Sequence, residues 1–298
     1  MLSRVLPVIA ILALVPDPAV AQVNLQSGGE VFRGEVPQGA WLRIRTLKGD
    51  IAVREGSGRT AVVKVERGRG DGSAGDVTIE VKRDGSSITV CAIYPHTTRC
   101  DAGSYTSERN RNDSRYPAAN FTVELPKGAK LDASTGNGDV DSRGASGEVR
   151  ASSGNGEISV DGSGGSVSAS SGNGDVEVRA ARGSVDASSG NGDITVETSA
   201  GPVSASSGNG RLTIRMDKLN GAGDMEFSTG NGSIELSLPA DASADIVADV
   251  SQRRFETEFP MQLPGRFGGG RIEGKIGGGG RRIRMSTGNG SVTIRKNG

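Results

Sequence analysis

Histidine occurs once in this 298-residue chain, cysteine twice, and aromatic residues make up only 3% of it. A single His96 leaves no Ser-His-Asp or Cys-His set to assemble for nucleophilic catalysis. A polysaccharide lyase or hydrolase needs carboxylate pairs or a Lys or Arg base gathered in a groove, and no lysine occurs between Lys130 and Lys218. Net charge is also absent: Lys plus Arg and Asp plus Glu each number 35, which gives no electrostatic footprint for nucleic acid or an anionic membrane surface. The longest apolar run, Val5 to Val15, is too short to span a bilayer.

What the chain does contain is repetition. The pentapeptide [ST]-[ST]-Gly-Asn-Gly begins at Ser134, Ser152, Ser170, Ser188, Ser206, Ser228 and Ser286, and the first five copies are eighteen residues apart. Within each unit apolar residues alternate on both sides of the Gly-Asn-Gly turn. Val149/Ala151, Val167/Ala169, Val185/Ala187 and Val203/Ala205 precede it, and Ile158/Val160, Val176/Val178, Ile194/Val196 and Leu212/Ile214 follow it. Period-two alternation over about five residues marks strands with one buried face. One unit cannot bury that face alone, so equivalent strands must stack. The expected fold is all-β: a right-handed two-sheet parallel β-solenoid with about eighteen residues per coil and irregular β-rich ends. Glycine is abundant, at 47 residues, but the strict period with alternating Val and Ile argues against disorder.

Backbone geometry gives the turn its first explanation. Glycine reaches positive φ without steric cost and asparagine tolerates the left-handed region, so the tripeptide suits a tight corner. Asn137, Asn155, Asn173, Asn191, Asn209, Asn231 and Asn289 are expected to stack as a structural amide ladder. A degenerate copy lies upstream, where Thr46-Leu47-Lys48-Gly49-Asp50-Ile51 aligns with Thr135-Gly136-Asn137-Gly138-Asp139-Val140. The solenoid is expected to start there.

Four regions follow. Residues 1–21 read as a secretory signal peptide, with Arg4, an apolar run and Ala19-Val20-Ala21 before a cut at Gln22. Residues 22–130 are an irregular β-rich region, residues 131–238 the regular repeats, and residues 239–298 atypical coils and a cap, in which Phe255, Phe259 and Phe267 are expected to plug the end of the stack. The stretch from Asp101 to Ala119 is a polar excursion, either a binding loop or disordered. Export makes Cys91 and Cys100 most simply a disulfide, with a Cys-His-Cys metal set through His96 as the rival.

Asp139, Glu157, Asp175 and Asp193 follow the turn in four coils and are the weak candidates for a calcium site. Arg211, Ser233 and Ser291 occupy that position elsewhere, and only one of the two turns per coil is glycine-rich, so an ion would lack its six to eight oxygens. The serine column from Ser134 to Ser228 has mixed neighbours, Arg150, Ser168, Asp186 and Ser204, and reads as a solvated face rather than an ice-binding array.

The ordered combination of a Gly-Asp-Ile-x-Val coil, Cys-Ala-Ile-Tyr-Pro, Phe-Thr-Val-Glu-Leu-Pro-Lys-Gly-Ala, Asn-Gly-Asp-Val repeats and a closing Ile-Gly-Gly-Gly-Gly…Ser-Thr-Gly-Asn-Gly resembles the bacterial "putative adhesin" β-strand-repeat family of unknown function. The resemblance covers residues 30–298. It implies a secreted or cell-envelope β-solenoid used in surface interaction and supplies no catalytic or binding residues. The reading is therefore a non-enzymatic exported scaffold or adhesin-like module, in the periplasm, at the cell surface or outside the cell. Its partner is an unknown protein or glycan of the envelope, with no cofactor, no nucleic acid and no membrane span. The alternative is a glycan- or calcium-binding surface protein.

Overall fold

The computed structural model describes residues 21–25, 28–70, 76–108, 115–199, 201–219, 223–250, 254–263 and 270–297. Apart from Ala21, the signal-peptide segment lies outside these residues, as does Phe267. The described chain is built of strands in a 14-stranded sheet and a 12-stranded sheet that face each other, plus one small two-stranded sheet.

The regular repeats stack in register. Strands Lys130–Asn137, Val149–Asn155, Val167–Asn173, Val185–Asn191, Val203–Asn209 and Met225–Asn231 run parallel in the larger sheet. Val140–Ala145, Ile158–Ser163, Val176–Ala181, Ile194–Thr198, Leu212–Met216 and Ile234–Leu238 do the same in the smaller one. Parallel stacking at about 4.8 Å brings identical positions of successive coils side by side, so an apolar position becomes an apolar column. Val140, Ile158, Val176, Ile194, Leu212 and Ile234 form one such column, each buried. Val149, Val167, Val185 and Val203 form one on the facing sheet.

The upstream coil takes the register its sequence suggests. Trp41–Lys48 pairs with Lys130–Asn137, placing Thr46 opposite Thr135 and Lys48 opposite Asn137, and Ile51–Glu55 pairs with Val140–Ala145. Between these two coils the chain departs for residues 56–129 and covers the open end. It adds Ser87–Ile93 and Thr78–Asp84 to the larger sheet and Ala119–Leu125 and Thr60–Arg67 to the smaller, and the chain before the first coil adds Ala21–Asn24 and Gly29–Glu35 as the outermost strands. The outer strands are antiparallel, which stops the stack from growing.

At the other end chain order and spatial order part. Arg281–Asn289 and Val292–Lys296 stack directly on Met225–Asn231 and Ile234–Leu238, although more than forty residues separate them in sequence. The intervening excursion lies beyond them as the outermost layer, with Ala244–Val250 and Phe255–Thr257 parallel and Arg271–Ile276 antiparallel. Phe259 is buried there, and Phe255 packs half-buried against the core.

The Gly-Asn-Gly corner differs from its expected explanation. Among the described residues Ala180 is the one non-glycine at positive φ, so no asparagine of the ladder is left-handed. The second glycine of the corner takes positive φ in some coils, at 150–156° for Gly138, Gly156 and Gly232, but Gly192 does not. Its constraint is proximity: a Cβ at Gly192 would lie 2.2 Å from the carbonyl oxygen of Gly174 in the neighbouring coil, and one at Gly190 would lie 2.4 Å from that of Gly172. The glycines are spacers that let coils approach to hydrogen-bonding distance.

Two ladders then tie the corner together. The amides form one: Asn155, Asn173, Asn191, Asn209, Asn231 and Asn289 each donate from Nδ2 to Oδ1 of the asparagine one coil before, at 2.7–2.9 Å. The second hydroxyl of the pentapeptide forms the other. Thr135, Ser153, Ser171, Ser189, Ser207, Thr229 and Thr287 are buried, and each donates from its hydroxyl to the second glycine carbonyl of the coil before, at 2.7–2.9 Å. The sequence reading missed this role. The first hydroxyl of each pair faces outward, as Ser188 does, donating to Ser170 Oγ.

Two predictions test this account. Gly192→Val should cost about 1–3 kcal/mol, because backbone rather than a flexible side chain blocks its Cβ. Ser189→Ala should cost about 1 kcal/mol and Ser188→Ala less than about 0.5 kcal/mol. Equal melting shifts for the three variants would remove the register. Ser142 supplies the opposite case: it is fully buried between Val53 and Val160, and its Oγ has no hydrogen-bond partner among the described residues. Ser142→Val should raise stability by about 1 kcal/mol, and a lowered melting temperature would show that the site has no room for the extra methyl.

Candidate functional site

The chemistry-bearing residues of the sequence fall into separate places. Asp139 and Asp193 stand in the exposed column after the corner, and their Oδ1 atoms accept the backbone N–H of Glu157 and of Arg211, at 2.8 and 2.7 Å. Asp175 Oδ1 accepts from the N–H of Asp193 at 2.8 Å, and upstream Asp50 Oδ1 accepts from that of Asp139 at 3.0 Å. The aspartates of the acidic column thus spend one oxygen each on joining coils. Among the described residues no group of three or more His, Cys, Asp or Glu side chains is arranged to hold a metal ion.

Cys91 and Cys100 form a disulfide, which removes the thiolates that a Cys-His-Cys metal set requires. His96 instead lies beside the ring of Tyr116, at 6.5 Å between centroids. Glu177 and Glu197, whose spacing invites comparison with a carboxylate pair, both ion-pair with Arg179 between them.

The disulfide positions a segment over the first coils. Cys91 lies opposite Arg45, and the chain beyond its strand turns back as a hairpin, Thr97–Cys100 against Tyr105–Ser107. Tyr105 donates its hydroxyl hydrogen to Ala92 O at 2.9 Å. Tyr94, buried beneath, donates to Lys48 O at 2.8 Å, and burial pushes its phenol up to about 12. At the hairpin tip, hydrogen bonds from the Arg99 guanidinium and then from the N–H groups of Gly103 and Ser104 pull the Asp101 carboxyl down to about 2. Of the polar excursion, residues 101–108 therefore have defined structure, and 109–114 lie outside the described residues.

Between this hairpin and the larger sheet runs a groove of about 570 Å³. The outward serines Ser134, Ser152 and Ser170 form its floor, and Ser104, Tyr105 and Ser107 its roof. Among its lining residues Arg45, only 6% exposed, grips Asp132 through two hydrogen bonds of 2.6 and 2.5 Å. The hydroxyls of Ser104 and Ser107 are covered and have no hydrogen-bond partner among the described residues.

Four residues back from Arg45 along the same outward face, the single tryptophan of the chain gathers cations. Arg150 lies 4.5 Å from the Trp41 ring centroid, Lys130 5.2 Å and Arg43 5.8 Å. Glu148 accepts from Lys130 at 3.1 Å and from Arg150 at 2.9 Å. Burial pushes the Glu148 carboxyl up, but these two hydrogen bonds and the two positive charges outweigh it and hold the group below its usual range. The sequence reading did not pick out this cluster. Its signal was the upstream alignment: continued back five residues from Thr46 and Thr135, it sets Trp41 opposite Lys130 and Arg43 opposite Asp132.

Two solved structures are similar to this chain. One is a "putative cell adhesion protein" from Clostridium sporogenes ATCC 15579, at 11% identity and a TM-score of 0.26 over 91% of this chain and 100% of that one. The other is a "putative adhesin" from Bacteroides fragilis NCTC 9343, at 14% identity and a TM-score of 0.37 over 95% of this chain and 99% of that one. No curated protein matches the chain. The model of the Toastrack DUF4097 family matches residues 103–295, about two thirds of the sequence, which takes in the roofing hairpin from Gly103, every regular coil and the closing cap. The chain belongs to the Toastrack DUF4097 family.

Proposed function

We propose that the protein is an exported, non-enzymatic component of the bacterial cell envelope that acts as a scaffold or adhesin-like interaction module. One observation carries this reading. The space between the two sheets is filled along the stack by apolar columns, so interaction falls to two long outer faces whose side chains are held in fixed columns. Such a body is stiff because each coil is hydrogen-bonded to the next through backbone, amide and hydroxyl ladders, and it presents a surface with little entropy left to lose on binding. The disulfide supports an oxidising compartment, in keeping with the signal peptide read at residues 1–21.

Cell fractionation of a bacterial host expressing the full chain tests export. The product should appear in the periplasmic, envelope or external fraction with Gln22 as its first residue. A full-length chain kept in the cytosol with free thiols would defeat the proposal. A mature protein that is exported yet turns over envelope glycans would defeat its non-enzymatic part.

Calcium separates the scaffold reading from its alternative. The acidic column offers one backbone-engaged oxygen per aspartate and ends at Arg211, so no structural ion is expected. The mature protein should melt at the same temperature in chelator and in millimolar calcium. An ion bound at a hundredfold excess over its Kd would add about 2.7 kcal/mol. A shift of that size, lost in Asp175→Asn, would establish calcium binding instead.

A further inference from the structure

We infer that the outward face around Trp41, with the adjoining hydroxyl-lined groove, binds a carboxylate-bearing glycan, a polyuronate in chemical class. This inference rests on the interaction-module reading and names a ligand for it.

Charge supplies the first argument. In a chain with no net charge, this patch sets four cations, Arg43, Arg45, Lys130 and Arg150, against two carboxylates, Asp132 and Glu148. Both carboxylates are already engaged, Asp132 by Arg45 and Glu148 by Lys130 and Arg150. Among the described residues Arg43 forms no ion pair and its covered Nη1 has no hydrogen-bond partner. The patch therefore keeps positive charge that its own acids do not neutralise. Trp41 orders that charge. A guanidinium stacked on an indole spends its face and leaves its N–H edge for a carboxylate, which it meets in fork geometry.

The choice of a sugar polymer over a peptide or a nucleic acid follows from where the patch sits. It lies on the face of the larger sheet, at strands flanked on both sides, so the backbone N–H and C=O groups are spent on neighbouring coils. An extended peptide would find no main-chain ladder to join, as it does at a sheet edge. A nucleic acid backbone demands a dense basic track, and here Asp132 and Glu148 interrupt it. Sugar hydroxyls both donate and accept, so they suit a surface of mixed signs. The groove continues the patch with Ser134, Ser152 and Ser170 on its floor and with Ser104 and Ser107 in its roof, whose hydroxyls have no partner among the described residues.

Trp41 is the sole tryptophan and reports directly on the site. Titrating the mature protein with a galacturonate oligomer should change its fluorescence saturably, and a neutral glucose oligomer of equal length should bind at least tenfold more weakly. Arg43→Gln and Arg150→Gln should each weaken the uronate at least tenfold with an unchanged melting temperature, whereas Ser206→Ala, far along the column, should leave it unaltered. Trp41→Ala, followed by calorimetry, should lose binding; if it melts early, Trp41→Phe replaces it. No saturable signal with the uronate from folded protein overturns the inference. So does equal binding of the neutral oligomer, of a poly-glutamate peptide or of single-stranded DNA. Envelope capture by the Arg43→Gln/Arg150→Gln double variant separates the two proposals. Partners retained by a variant blind to uronate leave the interaction module standing on another face, and no partner for either protein removes both.

Discussion

The distance between coils governs this molecule. Parallel strands pair at about 4.8 Å, and a corner that repeats every eighteen residues must let its backbone pass over the corner beneath at that spacing. At Gly190 and Gly192 the neighbouring carbonyl oxygens stand where a Cβ would be, so any other residue pushes the coils apart. Once the corner is glycine on both sides, the residue between them reaches its counterpart in the next coil, and the asparagine ladder closes. The hydroxyl ladder beneath it meets the second glycine carbonyl from inside. Three kinds of hydrogen bond at one corner thus answer to one steric condition.

That condition also sets the register for everything else. With corners locked coil upon coil, inward positions meet inward positions and become Val, Ile and Ala columns, while outward positions become columns of Ser, Asp, Glu and Arg. The interior is too thin to hold a cavity and is filled by those columns. Specific chemistry is consequently pushed to the surface, and on the surface it depends on whether a column is uniform or broken. Across the regular coils the serine column is uniform; at the first coil it is broken by Arg45, with Arg43 and Trp41 on the same face. The patch arises where the repeat gives way to the cap, because there the sequence is released from periodicity without leaving the sheet.

Both ends are closed by chain that leaves the stack and folds back on it. Residues 56–129 and the excursion after Leu238 each add antiparallel strands, which end the parallel ladder and keep a second molecule from continuing it. The N-terminal cap does more, since its disulfide holds a hairpin over the larger sheet and turns a flat face into a groove.

The sequence by itself determined the repeat, the two-sheet stack, the amide ladder and the start of the solenoid at Thr46, because periodicity is a local property and identical units can stack only in register. It also marked the cysteine pair as most simply a disulfide, and the structure bonds the two. Tertiary structure alone decided that every corner glycine is held by contact with a neighbouring coil, with positive φ added at Gly138, Gly156 and Gly232, since a clash eighteen residues away leaves no trace in a residue's own preferences. It also decided that Arg281–Asn289 stacks on Met225–Asn231 and that the excursion between them lies outside, because no periodic signal orders segments across a broken repeat. The gathering of Trp41, Arg43, Lys130 and Arg150 was likewise a matter of three dimensions: these residues come from three strands, two of them separated in sequence by the whole N-terminal cap, and only their stacking makes them neighbours.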